Sequence, residues 1–314
     1  MKKNSTASVN GRVGVTRRGL SVAARTRSLT LAALLTFSFA ACDSRTAEEP
    51  KISPDTARRE LFLRGHSYKE DVFLTCAKEG EAACVRLFAI AGMSTEIRNE
   101  EGETPLMLTA RGNQAKAARE LLKSGANVNA PNPIGVTPLM RAILSGSNDT
   151  VDALLEFKPD VNAKTTDPEA PGSTALMYAV WKGGPELVRR LLDAGADVNQ
   201  SDGVFGTALA WAAYYNREDA AVLLLERGAD PNVANRDGDT ALMFAAWRAG
   251  RGVVQALLEK GADPSAKNKE GKTVLKWGAG REEVVRLIQD AAAAKKKNPN
   301  GNVNDNANNQ GDGR

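Results

Sequence analysis

Histidine is nearly absent from this 314-residue chain, which carries one, and cysteine is scarce, with three. The lone His66 lies ten residues from the nearest cysteine of the following segment, Cys76, so the spacing shows no metal-ligand cluster. It also has no spaced serine or cysteine to activate, and no catalytic residue is assigned. A glycine-rich phosphate loop is missing as well, which removes the usual nucleotide cradle; no cofactor is expected. Long apolar runs are lacking too: the stretch Leu29–Ala41 has thirteen residues, short of the roughly 20 a membrane-spanning helix needs. Aromatic residues make up only 5% of the chain, so wherever they gather is informative.

What the chain does have is repetition. One phrase occurs six times, at Thr104-Pro105-Leu106-Met107, Thr137-Pro138-Leu139-Met140, Thr174-Ala175-Leu176-Met177, Thr207-Ala208-Leu209-Ala210, Thr240-Ala241-Leu242-Met243 and Thr273-Val274-Leu275-Lys276, with threonine intervals of 33, 37, 33, 33 and 33. A second phrase follows the same step, from Gly125-Ala126-Asn127-Val128-Asn129 to Gly195-Ala196-Asp197-Val198-Asn199, Gly228-Ala229-Asp230-Pro231-Asn232 and Gly261-Ala262-Asp263-Pro264. Two phrases locked to a 33-residue period with T-P-L resemble the ankyrin repeat. The resemblance implies an all-α solenoid of helix–turn–helix units with β-hairpin fingers, and binding of a protein partner rather than catalysis.

Local physics agrees with that reading. Each threonine stands where a helix N-cap belongs, and proline suits the first helical position because its missing N–H would be an orphan anyway. Gly261 suits the left-handed turn that ends a second helix, and Asn235–Asp239 reads as a finger tip. The extra residues of the long interval fall near Thr165–Pro171, lengthening one finger and sparing the helices. Lys158 takes a glycine position before Pro159, and Phe205, between Gly203 and Gly206, takes another at a finger tip that should be rearranged. A degenerate first repeat begins near Asp71, with Phe73, Ala77, Phe88 and Gly92 in register. The expected organisation is a linker over 42–54, a capping helix over 55–70, and repeats from 71, 104, 137, 174, 207 and 240. A cap with a shortened first helix runs from 273 to 294. Residues 295–314, with seven asparagines and no aromatic, are expected to be disordered.

Residues 1–41 stand apart. They hold seven basic residues and no acidic one, then the short apolar stretch, and end in Phe39-Ala40-Ala41-Cys42. This resembles a bacterial lipoprotein signal, in which Cys42 is lipidated and becomes the first residue; Thr16-Arg17-Arg18-Gly19-Leu20 weakly resembles a twin-arginine signal. The resemblance implies a lipid anchor on the periplasmic side of the envelope, at the inner or the outer membrane. Without the leader the net charge of +4 becomes −3, so the pI of 8.9 belongs to the leader and nucleic acid is not an expected partner. Cys76 and Cys84 then remain in an oxidising compartment, on the two helices of the first repeat. Both readings stay open for them, a disulfide and a pair of buried free thiols.

The aromatics fall into two columns. Four residues after the threonines come Tyr178, Trp211, Phe244 and Trp277; seven after come Trp181, Tyr214 and Trp247, flanked by Lys182, Tyr215 and Arg248. Arg111 holds the same seventh place after Thr104. The resemblance implies that the first column packs between repeats and that the second lines a concave recognition face, with Phe205 beside it. Exposed aromatics there would form an interaction hot spot, and the competing reading is stacking between repeats with no partner. Two functions follow: a lipid-tethered monomeric adaptor for another protein, or an accessory factor that supports a periplasmic enzyme, for example in oxidative-stress defence.

Overall fold

In a computed structural model, residues 52–248 and 250–297 are described. The leader, Cys42, most of the linker and the tail from residue 298 lie outside the described residues. Threonine side chains start the first helices as their spacing demands. The hydroxyls of Thr104, Thr137, Thr174, Thr207 and Thr273 each accept a hydrogen bond from the backbone N–H three residues on. Thr240 departs from this, since its buried hydroxyl has no partner.

The helices alternate between two layers. An N-terminal helix, α1 (Pro54–Leu63), precedes the pairs α2 (Glu70–Glu79) and α3 (Ala82–Ile90), α4 (Pro105–Arg111) and α5 (Ala115–Lys123), and α6 (Pro138–Leu144) and α7 (Asn148–Leu155). Then follow α8 (Ala175–Lys182) with α9 (Pro185–Asp193), α10 (Ala208–Tyr214) with α11 (Glu218–Glu226), and α12 (Ala241–Arg248) with α13 (Arg251–Glu259). A short α14 (Val274–Trp277) and a long α15 (Glu282–Lys297) close the array. First helices pack on first helices and second on second, α2 to α4 to α6 and onward to α14, while α1 packs on α3 at the head of the other layer. Helix α15 runs beyond the expected boundary at 294: Lys295–Lys297 form its last turn, where basic side chains complement the helix dipole, and Lys295 Nζ bonds Asp263 Oδ1 at 2.8 Å. Among the described residues, no helix is long and apolar enough to cross a membrane.

One unit cannot bury its own apolar face, so the core is continuous along the stack. Leu106, Leu139, Leu176, Leu209 and Leu242 are buried between repeats, and the small column Ala142, Ala179, Ala212 and Ala245 lets the first helices approach closely. Three fingers are each closed at the base by a single antiparallel bridge, Ser201 to Thr207, Ala234 to Thr240 and Lys267 to Thr273. Lys158 does adopt the left-handed backbone of a glycine position, at φ 51°. The long finger is more than a free excursion. Thr165 is buried, the Thr166 N–H donates to Ile134 O, and the Gly203 N–H donates to Pro171 O. A Cβ on Gly135 would lie 2.7 Å from Thr166 N, so the finger demands glycine there.

Between the repeats runs an amide ladder. Asn129 Oδ1 accepts from the Asp160 N–H, Asn162 from Asp197, Asn199 from Asp230 and Asn232 from Asp263, each at 2.8 Å. The side-chain amides of Asn162, Asn199 and Asn232 donate onward to the carbonyls of Gly195, Gly228 and Gly261. Ion pairs such as Arg119–Glu156, Arg190–Asp152, Arg227–Asp193 and Arg251–Glu283 join neighbouring second helices. They are largely exposed and add little individually.

Candidate functional site

The aromatics of the central and C-terminal repeats meet in one continuous cluster that holds all four tryptophans. Its floor is the first column. Tyr178, Trp211 and Phe244 are buried, and they sit there because the fourth residue after each cap returns to the side of the helix that faces the next repeat. Burial raises the Tyr178 phenol above the usual tyrosine value, although a hydrogen bond with Thr165 of the long finger opposes the shift.

The second column forms the upper surface, and it is less open than the sequence leads one to expect. Trp247 is 40% exposed, whereas Trp181, Tyr214 and Tyr215 are half-buried because their rings lean on one another. Trp181 stacks on Tyr215 with centroids 6.0 Å apart, Tyr214 meets Trp247 at 5.7 Å, and Trp247 meets Trp277 at 5.9 Å. The rings therefore make a wall, each only partly open to solvent.

Phe205 sits inside this wall and not at a free tip. Its finger is held by Asp202, whose Oδ1 accepts from the N–H groups of Val204 and Gly206 and whose Oδ2 accepts from Trp211 Nε1 at 2.6 Å. The clamp turns Phe205 down onto Tyr214 at 4.3 Å and Trp211 at 5.2 Å. Sequence reasoning found Phe205 as an anomaly. What it missed was Asp202, whose buried carboxylate sets the direction.

Cations mark the rim. Lys182 Nζ stands 4.1 Å from the Trp181 ring centre, and the Arg248 guanidinium lies 5.1 Å from Tyr214 and 5.8 Å from Trp247. Burial, reinforced by neighbouring Tyr214, raises the Tyr215 phenol, and Arg248 pulls against that shift. Arg111 is placed differently: its guanidinium is taken up by Glu101 at 3.2 Å and Glu103 at 3.3 Å. Such a surface can bury aromatic area and pair with carboxylates at its margin, because the rings are held in place before any partner arrives.

In the first repeat, Cys76 and Cys84 are joined by a disulfide, with Cα atoms 6.0 Å apart. His66 returns to the same place. The turn after α1, fixed by the His66 N–H donating to Leu61 O, sets its Nε2 3.4 Å from Glu81 Oε2. Sequence spacing gave no sign of that approach, because it depends on how α1 packs on α3.

A profile of ankyrin repeats in three copies matches residues 73–167, 176–268 and 209–300. The human ASB11 ankyrin repeat domain is similar in structure, with a TM-score of 0.61 and 28% identity over 70% of this chain and 96% of that one. The ankyrin repeat domain of Bcl-3, a member of the IkappaB protein family, is similar too, with a TM-score of 0.62 and 29% identity over 69% and 97%. No match is found among curated proteins.

Proposed function

The chain belongs to the ankyrin-repeat family, and from that premise we propose that it is a non-enzymatic scaffold binding one protein partner through the aromatic wall of its first helices and the adjoining fingers. The observation that carries this reading is the ordered row Trp181, Tyr215, Tyr214 and Trp247, half-open to solvent and flanked by Lys182 and Arg248. A partner of matching chemistry offers an apolar or aromatic segment bordered by carboxylates. The scaffold acts as a monomer held at the periplasmic side of a bacterial envelope by lipid on Cys42; the basic leader and its Ala40-Ala41-Cys42 ending support that placement.

The test is a photo-crosslinking residue placed at Trp247 in cells, compared with one placed on the opposite layer at Arg189. The partner should be captured from Trp247 alone, and Trp181→Ala in the same chain should weaken its capture by about 2 kcal/mol or more if that ring is a central anchor. Equal capture from both positions, or capture unaffected by Trp181→Ala in a folded protein, would move the binding face elsewhere.

A further inference from the structure

The sulfurs of Cys76 and Cys84, the ring nitrogen of His66 and a carboxylate oxygen of Glu81 all lie within 4.8 Å of one another. These are the donor types of a four-ligand zinc site, and the structure collects them from three places in the chain. Cys76 comes from α2, Glu81 and Cys84 from the start of α3, and His66 from the turn after α1. We infer that, when the disulfide is open, these four side chains form a divalent transition-metal site, with zinc as the natural occupant, and that metal and disulfide exclude each other.

The geometry supports this in three ways. A tetrahedral centre with Zn–N and Zn–O bonds of roughly 2.0–2.1 Å separates its ligand atoms by about 3.3 Å, and His66 Nε2 already stands 3.4 Å from Glu81 Oε2. Two thiolates at about 2.3 Å from the metal would lie roughly 3.8 Å apart, a separation that side-chain rotation supplies when the Cα atoms are 6.0 Å apart. The burial is also graded. Both sulfurs are buried, while His66 and Glu81 keep 25% and 45% of their side chains exposed, which leaves an entry side for the ion.

The chemistry balances. Opening the bond takes two electrons and two protons, which an external dithiol supplies as it closes to its own disulfide. Metal binding then releases the two thiol protons as Cys76 and Cys84 coordinate as thiolates. The disulfide ties α2 to α3 within the first repeat, whereas the shared ion would tie both of them to the turn after α1 as well.

Cobalt(II) reads the site directly in the full chain. After reduction and removal of the dithiol without air, one equivalent should give thiolate charge-transfer absorption and the visible bands of a tetrahedral centre, and zinc should displace it. The air-oxidised chain should give neither signal. His66→Ala and Glu81→Gln each alter a partly exposed side chain and should leave the helical circular dichroism unchanged. Each should weaken cobalt binding at least about tenfold, since even groups that only support a ligand are worth 10–100-fold. Absence of charge-transfer absorption in the reduced wild type would overturn the inference. So would equal binding by the oxidised chain, or wild-type affinity in both variants, which would mean that the cysteines bind metal without the other two ligands.

Discussion

Glu103 offers a severe test of how the repeats are held together. Its side chain is fully buried at a finger base, directly before the Thr104 cap. Its backbone is fastened to Asn99: the Asn99 N–H donates to Glu103 O, and the Glu103 N–H donates to Asn99 Oδ1. Arg141 from the next repeat reaches it at 2.6 Å and Arg111 at 3.3 Å, while Arg111 divides itself with the exposed Glu101. Neither carboxylate oxygen has a well-directed hydrogen bond despite these short separations, so the charge leans on its two cations by attraction alone. Arg141→Met would leave the carboxylate buried beside one shared cation. Removing a partner from a buried pair costs about 3–5 kcal/mol, and the remaining Arg111 places this case near 3. For a domain of this size that corresponds to a fall of about 6–12 °C in Tm. Glu103→Leu should cost much less, because Arg141, 25% exposed, can turn to water. The double variant should recover most of the loss, since apolar replacement of both partners is often neutral. Thermal unfolding of the four proteins of this cycle gives the coupling. A loss under about 1 kcal/mol for Arg141→Met, or a double variant as unstable as that single one, would show that the carboxylate is already hydrated and the account wrong.

Further outcomes can be checked independently. Leu209→Ala, at a fully buried anchor between central repeats, should destabilise by about 2–5 kcal/mol in denaturant unfolding, and a loss below 1 would mean that the stack closes over the gap. The raised Tyr178 phenol contributes stability that is complete below the pKa of about 10 of an unfolded tyrosine and disappears as pH rises through the higher folded value. Tyr178→Phe should therefore flatten the alkaline fall in unfolding free energy, and an unchanged slope would refute burial as the cause. Cys42→Ser should yield a protein that fractionates and migrates differently from the wild type; identical behaviour would remove the lipid anchor from the proposal.

Legibility from sequence followed periodicity. The threonine caps, the buried leucines and the floor rings Tyr178, Trp211 and Phe244 recur at fixed steps, and each repeat places the same residue in the same environment. What depended on a single repeat was hidden. Phe205 needed the Asp202 clamp to point inward, and Asp202 reads as one more finger aspartate. Glu103 shares its position with Val136, Ser173 and Asp239, all buried, but a lone glutamate between glycine and threonine carries no sign of burial. His66 lies outside any repeat, so its return to Glu81 followed from the packing of α1 on α3 alone. The wall's partial closure was hidden for a related reason, because ring tilt is decided between neighbours and not by position along a helix.

The amide ladder has a consequence for how such a chain can change over generations. Asn162 offers Asp197 the same acceptor that Asn199 offers Asp230, although 35 residues separate the first pair and 31 the second. The joints are thus chemically interchangeable, and the surplus length is looped out through a finger without disturbing them. Duplicating or excising one whole unit between two asparagines would restore every joint it broke, whereas a cut of any other length would strand donors and acceptors on both sides. Particular to their places are the Glu103–Arg141 pair, the long finger on Ile134, and the two ends, Lys295 on Asp263 at one and α1 on α3 at the other. Between them the protein is a ruler whose length selection can alter in whole divisions, and each division added or lost would lengthen or shorten the row of rings it presents.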